Sequence, residues 1–410
     1  MTCTRARLLA VILAVAGLVP SLLPGPTRGA TPAEGPRDLI LMVADGCGYA
    51  HVEAASHHAT GEARSQLYWD FPVVLAMSTH PAGGSYDPQR AWNDPDWLHA
   101  RATDSAAAIT AMTTGTKTVN RRLAVDPDGQ PLTTLAEAWE RRGGATGLVS
   151  SVQITHATPA GFAVSHPDRH DYEAIAAELL QRSALDVVMG AGHPLYDDDG
   201  RRRAEPRYRY VGGEATWRAI EAGTAGADAD ADGRADPWVL LETPAQLADL
   251  AASEDPPARV LALPRVHRTL QGKRGGDRGA SAYDVPFTPG LPTLAELSLA
   301  ALNVLHRHPG GYALLIEGGA VDWAGHDHAP GRLIEEQHDF DAAVVAVVRW
   351  LDRRDAWDRT LLVVTSDHEC GHVCGPDDGT ALPPVHGRGA GNMPAMTIRS
   401  GQHSNALVPL

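Results

Sequence analysis

Short aliphatic and β-branched runs recur along the chain and read as buried parallel strands: residues 39–44 (LILMVA), 147–152 (GLVSSV), 186–189 (DVVM), 312–316 (YALLI) and 360–365 (TLLVVT). Helical periodicity fills the gaps between them. Thr133 or Thr134 can cap a helix that runs to about Arg142 and is stopped by Gly143 and Gly144. Residues 171–182 form a second helical stretch, and 333–353 a long amphipathic one. Strands alternating with helices predict a mostly parallel central sheet covered on both faces, a three-layer α/β/α sandwich.

The pattern weakens over residues 190–290, which are rich in Gly, Asp, Arg and Pro. They read as a surface insertion or cap on one α/β domain spanning 31–410, with no independent core. Inside this region Asp228, Asp230, Asp232, Gly233 and Asp236 match the start of a calcium loop, but Val239 stands where a bidentate Glu should close it. A solvated acidic turn accounts for these residues equally well.

Residues 1–30 have the order of an export signal. Arg5 and Arg7 precede an apolar run over 8–23, and Gly29 and Ala30 offer a cleavage point. An uncleaved anchor is the alternative, but the run is short for a span and is broken by Pro20 and Pro24. The expectation is an exported protein, periplasmic or extracellular, with no stable membrane anchor after cleavage.

Charge narrows the classes. Fifty Asp+Glu against 35 Lys+Arg give a net −15, which speaks against a nucleic-acid partner or an anionic membrane surface. It leaves anionic small molecules open, because bound cations can reverse a local field. Nineteen His make metal binding worth testing. After Cys3 leaves with the signal, Cys47, Cys370 and Cys374 allow one disulfide and one free thiol, with the pair undefined.

The chemistry lies where the strands end. LILMVA ends at Asp45, YALLI at Glu317, and TLLVVT is followed after Ser366 by Asp367 and His368. In open parallel sheets ligands bind beyond the carboxyl ends of the strands. Asp322 and His326, four apart, face one way on a helical turn. If Asp45, Glu317, Asp322 and Asp367 converge, their repulsion calls for cations. Mixed His/carboxylate donors favour zinc and all-oxygen donors magnesium, so more than one metal is expected. Ser105, opening an Ala-rich helix after Asp104, is a nucleophile candidate at the positive helix end, with a plain N-cap as the competing reading.

Together the segments LILMVADGCG, TDSAAAITAMTTGTKT, THATPAGFAVSHPDR, IEGGAVDWAGH, VTSDHE and GQHSNALVP resemble the alkaline phosphatase family from about Asp38 to the C-terminus. The resemblance implies hydrolysis of phosphate monoesters, small molecules as partners, an alkaline optimum and two zinc ions with one magnesium per chain. It implies that Ser105 becomes phosphorylated and that Arg169, oriented by Asp104, clamps two phosphate oxygens. Asp322, His326 and His403 would hold the first zinc, which activates the hydrolytic water. Asp45, Asp367 and His368 would hold the second, which activates Ser105. Asp45, Thr158 and Glu317 would serve magnesium, with His156 on magnesium-bound water. The family is often dimeric, so a second copy is a candidate partner.

Four departures stand out against the family pattern. His156 replaces an Asp, and Trp323 replaces a Lys, found in other members. Cys370 takes the place of a His, which is expected to alter the surroundings of the second zinc. His372, two residues on, reads as a surface residue that could compensate. The fourth concerns the tail: the chain stops at residue 410, soon after His403, where family members usually continue. A truncated C-terminus would leave His403 on a poorly anchored tail. The competing functions are a phosphodiesterase or sulfatase of the same superfamily, an inactive metal- or phosphate-binding homologue and, on the acidic loop alone, a calcium-dependent adhesin.

Overall fold

The computed structural model describes residues 35–229, 233–380 and 382–410. The export segment and two calcium-loop residues, Asp230 and Asp232, lie outside them. Residues 36–410 form one compact unit.

Among the described residues a seven-stranded parallel sheet runs through this unit. Its strands in chain order are β1 (Asp38–Ala44), β2 (Ala145–Gln153), β3 (Val187–Ala191), β4 (Val239–Leu241), β5 (Val260–Ala262), β6 (Tyr312–Gly318) and β7 (Thr360–Thr365). The spatial order is β4-β5-β3-β2-β6-β1-β7. Both faces of the central strands are covered. Ile40 and Met42 point into one buried apolar cluster, Leu41 and Val43 into the other, which is why these runs are continuously apolar instead of alternating.

Helices α1 (Tyr49–Thr60), α2 (Ser105–Thr114), α3 (Leu135–Glu140), α4 (Ala157–Gly161), α5 (Tyr172–Gln181), α6 (Leu294–Leu305), α7 (Ala320–His326) and α8 (Pro330–Arg354) bear on the argument. Thr134 caps α3 in a reciprocal box with Glu137, and Gly143 turns away at φ +75°. Asp186 belongs to no strand: its carboxylate accepts the backbone N–H of Thr146 at 2.8 Å, so β3 starts one residue later.

The region 190–290 does more than cover the surface. It supplies β4 and β5, which extend the sheet at one edge. In its acidic loop Asp228 accepts the backbone N–H of Gly233, and Asp236 that of Ala229, both at 2.9 Å. Among the described residues no helix is long and apolar enough to cross a membrane.

The C-terminal segment is anchored, contrary to expectation. His403–Ser404 pairs antiparallel with Glu369–Cys370, and Val408–Pro409 with Ala76–Met77. Asn405 donates to the carbonyls of Trp97 and Ala100 at 3.0 and 2.9 Å. These contacts join positions from about thirty to more than three hundred residues apart, so local sequence carries no sign of them. Cys47, Cys370 and Cys374 are buried free thiols, and Cys47 Sγ donates to Gln337 at 3.0 Å.

Candidate active site

Strand register brings the acids together. Val43 of β1 lies beside both Glu317 of β6 and Thr365 of β7, and Ser150 of β2 lies beside Glu317 from the other side. Asp45, Glu317 and the Ser366–His368 turn therefore meet at one edge of the sheet. α7 starts three residues after Glu317 and returns Asp322 and His326 to the same edge.

Three overlapping groups of donor atoms result: Asp45, His156 and Glu317; Asp45, Asp322 and His368; Asp322, His326, Cys370 and His403. Within each, the donor atoms lie within 4.8 Å of one another. His326 Nε2 and His403 Nε2 are 3.4 and 3.3 Å from Asp322 Oδ1. Their rear nitrogens are fixed, His326 Nδ1 on the Gly401 carbonyl and His403 Nδ1 on that of Thr103, both at 2.8 Å. This backing orients metal-binding imidazoles. His368 Nε2 is 3.1 Å from Asp367 Oδ2 and 3.6 Å from Asp45 Oδ1. The other Asp367 oxygen accepts the backbone N–H groups of Gly46 and His368.

The donor set fits divalent cations. Both oxygens of Asp45, Asp322 Oδ1, Asp367 Oδ2, Glu317 Oε1, His156 Nδ1 and Thr158 Oγ1 are buried without a hydrogen-bond partner among the described residues. Leaving so many polar atoms unsatisfied would be costly unless cations take them up. The titration behaviour agrees. Burial, then the charges of Asp367, Asp322 and Glu317, drive Asp45 well above the usual carboxylate range, and burial raises Asp367 to about 7. Burial opposes ionisation of Asp322, yet the imidazoles of His326, His403 and His368 hold it well below that range. His403 rises to about 9 against burial, because its Nε2 faces the Asp322 carboxylate.

Ser105 opens α2. Its Oγ is buried, 3.2 Å from His368 Nε2. Asp104 caps that helix through Ala107 and meets Arg169 Nη1 at 3.2 Å. Arg169 Nη2 lies 3.2 Å from His156 Nε2, while His156 Nδ1 faces Asp45 at 3.7 Å and Glu317 at 4.0 Å. A cavity of ≈590 Å³ opens onto Ser105, Arg169, Asp322, His326 and His403. Thr158 sits in the first turn of α4, which packs on β6.

Cys370, the cross-strand partner of His403, groups with Asp322, His326 and His403, and its backbone N–H donates to the carbonyl of Gly46, next to Asp45, so it borders both sets of donors. One expectation is corrected. His372 is no surface residue: it is buried and its Nδ1 lies 3.0 Å from His99 Nε2. Sequence reasoning also passed over His99, Asn120 and Lys273, which line the cavity. Asn120 accepts the N–H of Asp104 and donates to the Ala102 carbonyl, bracing the loop before Ser105. No spacing signal marks any of the three.

A protein-family model described as alkaline phosphatase matches residues 36–219 and 250–399. The chain belongs to the alkaline phosphatase family. The match is interrupted inside the region 190–290 that sequence reading set apart. Among relatives in this family, alkaline phosphatase 3 of Bacillus subtilis is 28% identical over 347 residues, 82% of this chain and 61% of the relative. Streptomycin-6-phosphate phosphatase of Streptomyces griseus is 31% identical over 378 residues, 84% of this chain and 76% of the relative. The crystal structure of a cold-active alkaline phosphatase from Shewanella sp. aligns with TM-score 0.60 at 28% identity, over 84% of this chain and 71% of that one. The chain spans about three fifths of the length of the two Bacillus subtilis alkaline phosphatases it matches.

Proposed function

We propose that this chain hydrolyses phosphate monoesters, with Ser105 as the group that is transiently phosphorylated. The observation that carries the reading is the setting of one buried hydroxyl. Ser105 Oγ lies against His368 at the rim of a cluster of unpartnered acidic and imidazole donors, and Arg169 shares its cavity.

Asp322, His326 and His403 would hold the first zinc, Asp45, Asp367 and His368 the second, and Asp45, Glu317 and Thr158 magnesium, with His156 in its outer surroundings. These ions supply positive charge that lowers the pKa of the nucleophile and offsets charge on the leaving oxygen. The protein's own groups do the rest. Arg169 offers N–H donors to two nonbridging oxygens of the phosphoryl group, and Asp104 keeps the guanidinium in place. The N-terminus of α2 favours the negative charge that collects at Ser105. Ser105 gives up its hydroxyl proton to solvent as its Oγ attacks phosphorus and the ester P–O bond breaks, and the departing alkoxide takes a proton from solvent to leave as the alcohol. Water then attacks the phosphoserine and loses a proton, the Ser105 oxygen leaves and regains one, and inorganic phosphate is released.

The guanidinium fork favours a monoester, whose free oxygens it can grip, over a diester. Residues 1–30 fit this reading as an export leader. The test is turnover of one chromophore presented as a monoester, a diester and a sulfate ester. The monoester should be fastest, and a diester preference of about tenfold or more, worth about 1.4 kcal/mol, would overturn the reading.

A further inference from the structure

Of the 35 Lys+Arg in this chain only two are lysines, Lys117 and Lys273. One of them borders the cavity that opens onto Ser105 and Arg169. Lys273 comes from the region 190–290, in the part where the family match has resumed at residue 250, and its side chain is only 11% exposed.

Its position is built. The Thr269 hydroxyl accepts the backbone N–H of Lys273 at 2.8 Å. Leu270 N–H donates to the Ser151 carbonyl at 2.8 Å, and Thr269 forms a bridge with Val152, so the loop is stitched to β2. A Cβ on Gly272 would stand 2.9 Å from Ala320 Cβ, so the loop lies directly on the start of α7. The ammonium is held at the other end of that helix. It pairs with Asp327, the C-cap residue, and sits 5.2 Å from the centre of the Trp323 ring. Asp327 is also approached by Arg278 at 3.7 Å. Trp323 in turn lies edge-on to the His156 ring, 5.5 Å between centroids, and His156 touches Arg169.

We propose that Lys273 is a specificity-determining residue: a loop-borne ammonium, tethered between Asp327 and Trp323, that shares the cavity with Arg169 and serves as a second cation for the dianionic phosphoryl group. A lysine suits this place. Its charge is compact, its three donors rotate, and one indole face and one carboxylate can hold it while a donor remains for a ligand. Arg101 also lines the cavity but is exposed and has no comparable tether. Two cations on the cavity wall retain a dianion better than a monoanion, so Lys273 tightens both substrate and product phosphate and sharpens the preference for monoesters. The inference rests on the phosphatase reading.

The test uses the metal-loaded full chain and its Lys273→Met, Lys273→Gln and Lys273→Arg variants, with inorganic phosphate as the probe. Phosphate affinity is measured by calorimetry and as a competitive Ki, beside kcat/KM for a monoester and a diester of one chromophore and metal content per chain. Met and Gln should weaken phosphate binding about tenfold, the size of one charge-assisted contact. They should lower monoester kcat/KM by a similar factor and diester kcat/KM by less than about twofold. Arg should restore most of the loss. Unchanged phosphate affinity in Met and Gln at full metal content would overturn the inference, as would an equal loss for both esters. A wild-type chain that binds phosphate but turns over no monoester would instead overturn the phosphatase reading.

Discussion

Asp104 Oδ2 meets Arg169 Nη1 at 3.2 Å, while Oδ1 of the same carboxylate caps α2 by accepting the N–H of Ala107 at 2.9 Å. One side chain thus aims the guanidinium and starts the helix that carries Ser105. The two roles separate on substitution. Asp104→Asn keeps an oxygen for the cap but removes the charge that holds Arg169. Its kcat/KM for a monoester should fall about tenfold to a hundredfold, the range for one charge-assisted hydrogen bond of about 1.5–3 kcal/mol, with little change in Tm. Asp104→Ala should show the same kinetic loss and a further stability loss of about 1 kcal/mol from the missing cap. Equal thermal stability in the two variants would refute the capping role.

Metal removal should make stability depend on pH in a definite direction. In the metal-free protein Asp367 sits at about 7, above its ordinary 3.8. A carboxyl raised in the folded state contributes its stability below the unfolded value and loses it as pH rises through the folded value. His403, raised to about 9 from 6.5, loses its contribution over a higher range. Chelated protein should therefore melt several degrees lower at pH 8 than at pH 6. Zinc should restore more at pH 8, where the donors are deprotonated. Thermal melts of chelated and zinc-loaded protein at both pH values check this. An identical zinc increment at pH 6 and pH 8 would contradict it.

Asn405 connects stability to Asp322, His326 and His403, the donors proposed to hold the first zinc. Its amide satisfies the Trp97 and Ala100 carbonyls and docks the segment that carries His403. Asn405→Ala leaves both carbonyls without that donor and should cost about 1–3 kcal/mol. It should also weaken zinc binding at Asp322, His326 and His403, measured by competition with a chromophoric chelator. A full loss of stability with zinc affinity unchanged would disconnect the tail from the site.

Away from the site, Glu336 is buried on α8. Burial and the charges of Asp339 and Glu335 raise its pKa to about 8 from 4.5, against the attraction of Arg274. Its stability contribution is complete below pH 4.5 and declines as pH rises through 8. Glu336→Gln cannot ionise, so its melting temperature should match that of the wild type near pH 5 and exceed it by a few degrees at pH 8.5. A constant difference across that range would show that Glu336 does not titrate as described.

The sequence made parts of this architecture legible and hid others for physical reasons. The runs at 39–44 and 312–316 are buried on both faces, so their continuous apolar character announces them, whereas 360–365 is an edge strand with Leu361 exposed that its β-branched and aliphatic residues still reveal; the acids Asp45, Glu317 and Asp367 at or just past the ends of these runs mark one edge of the sheet. Val239–Leu241 and Val260–Ala262 are only three residues each. Pairing with neighbouring strands, not composition, makes them part of the sheet. Ser105, Arg169 and the proposed metal donors lie in recognisable segments. The placement of Cys370 beside Asp322, the burial of His372 and the approach of Lys273 to Trp323 depend on contacts between distant segments, which no local pattern encodes.

The central claim is that Ser105 itself carries the phosphoryl group during turnover. The direct measurement is an acid quench of the metal-loaded protein during monoester hydrolysis, followed by mass spectrometry of its peptides. One phosphoryl group is expected on the peptide containing Ser105, with neither that adduct nor turnover in Ser105→Ala. A Ser105→Ala protein that hydrolyses the monoester at the wild-type rate, or a phosphoryl group on another residue, would contradict the account.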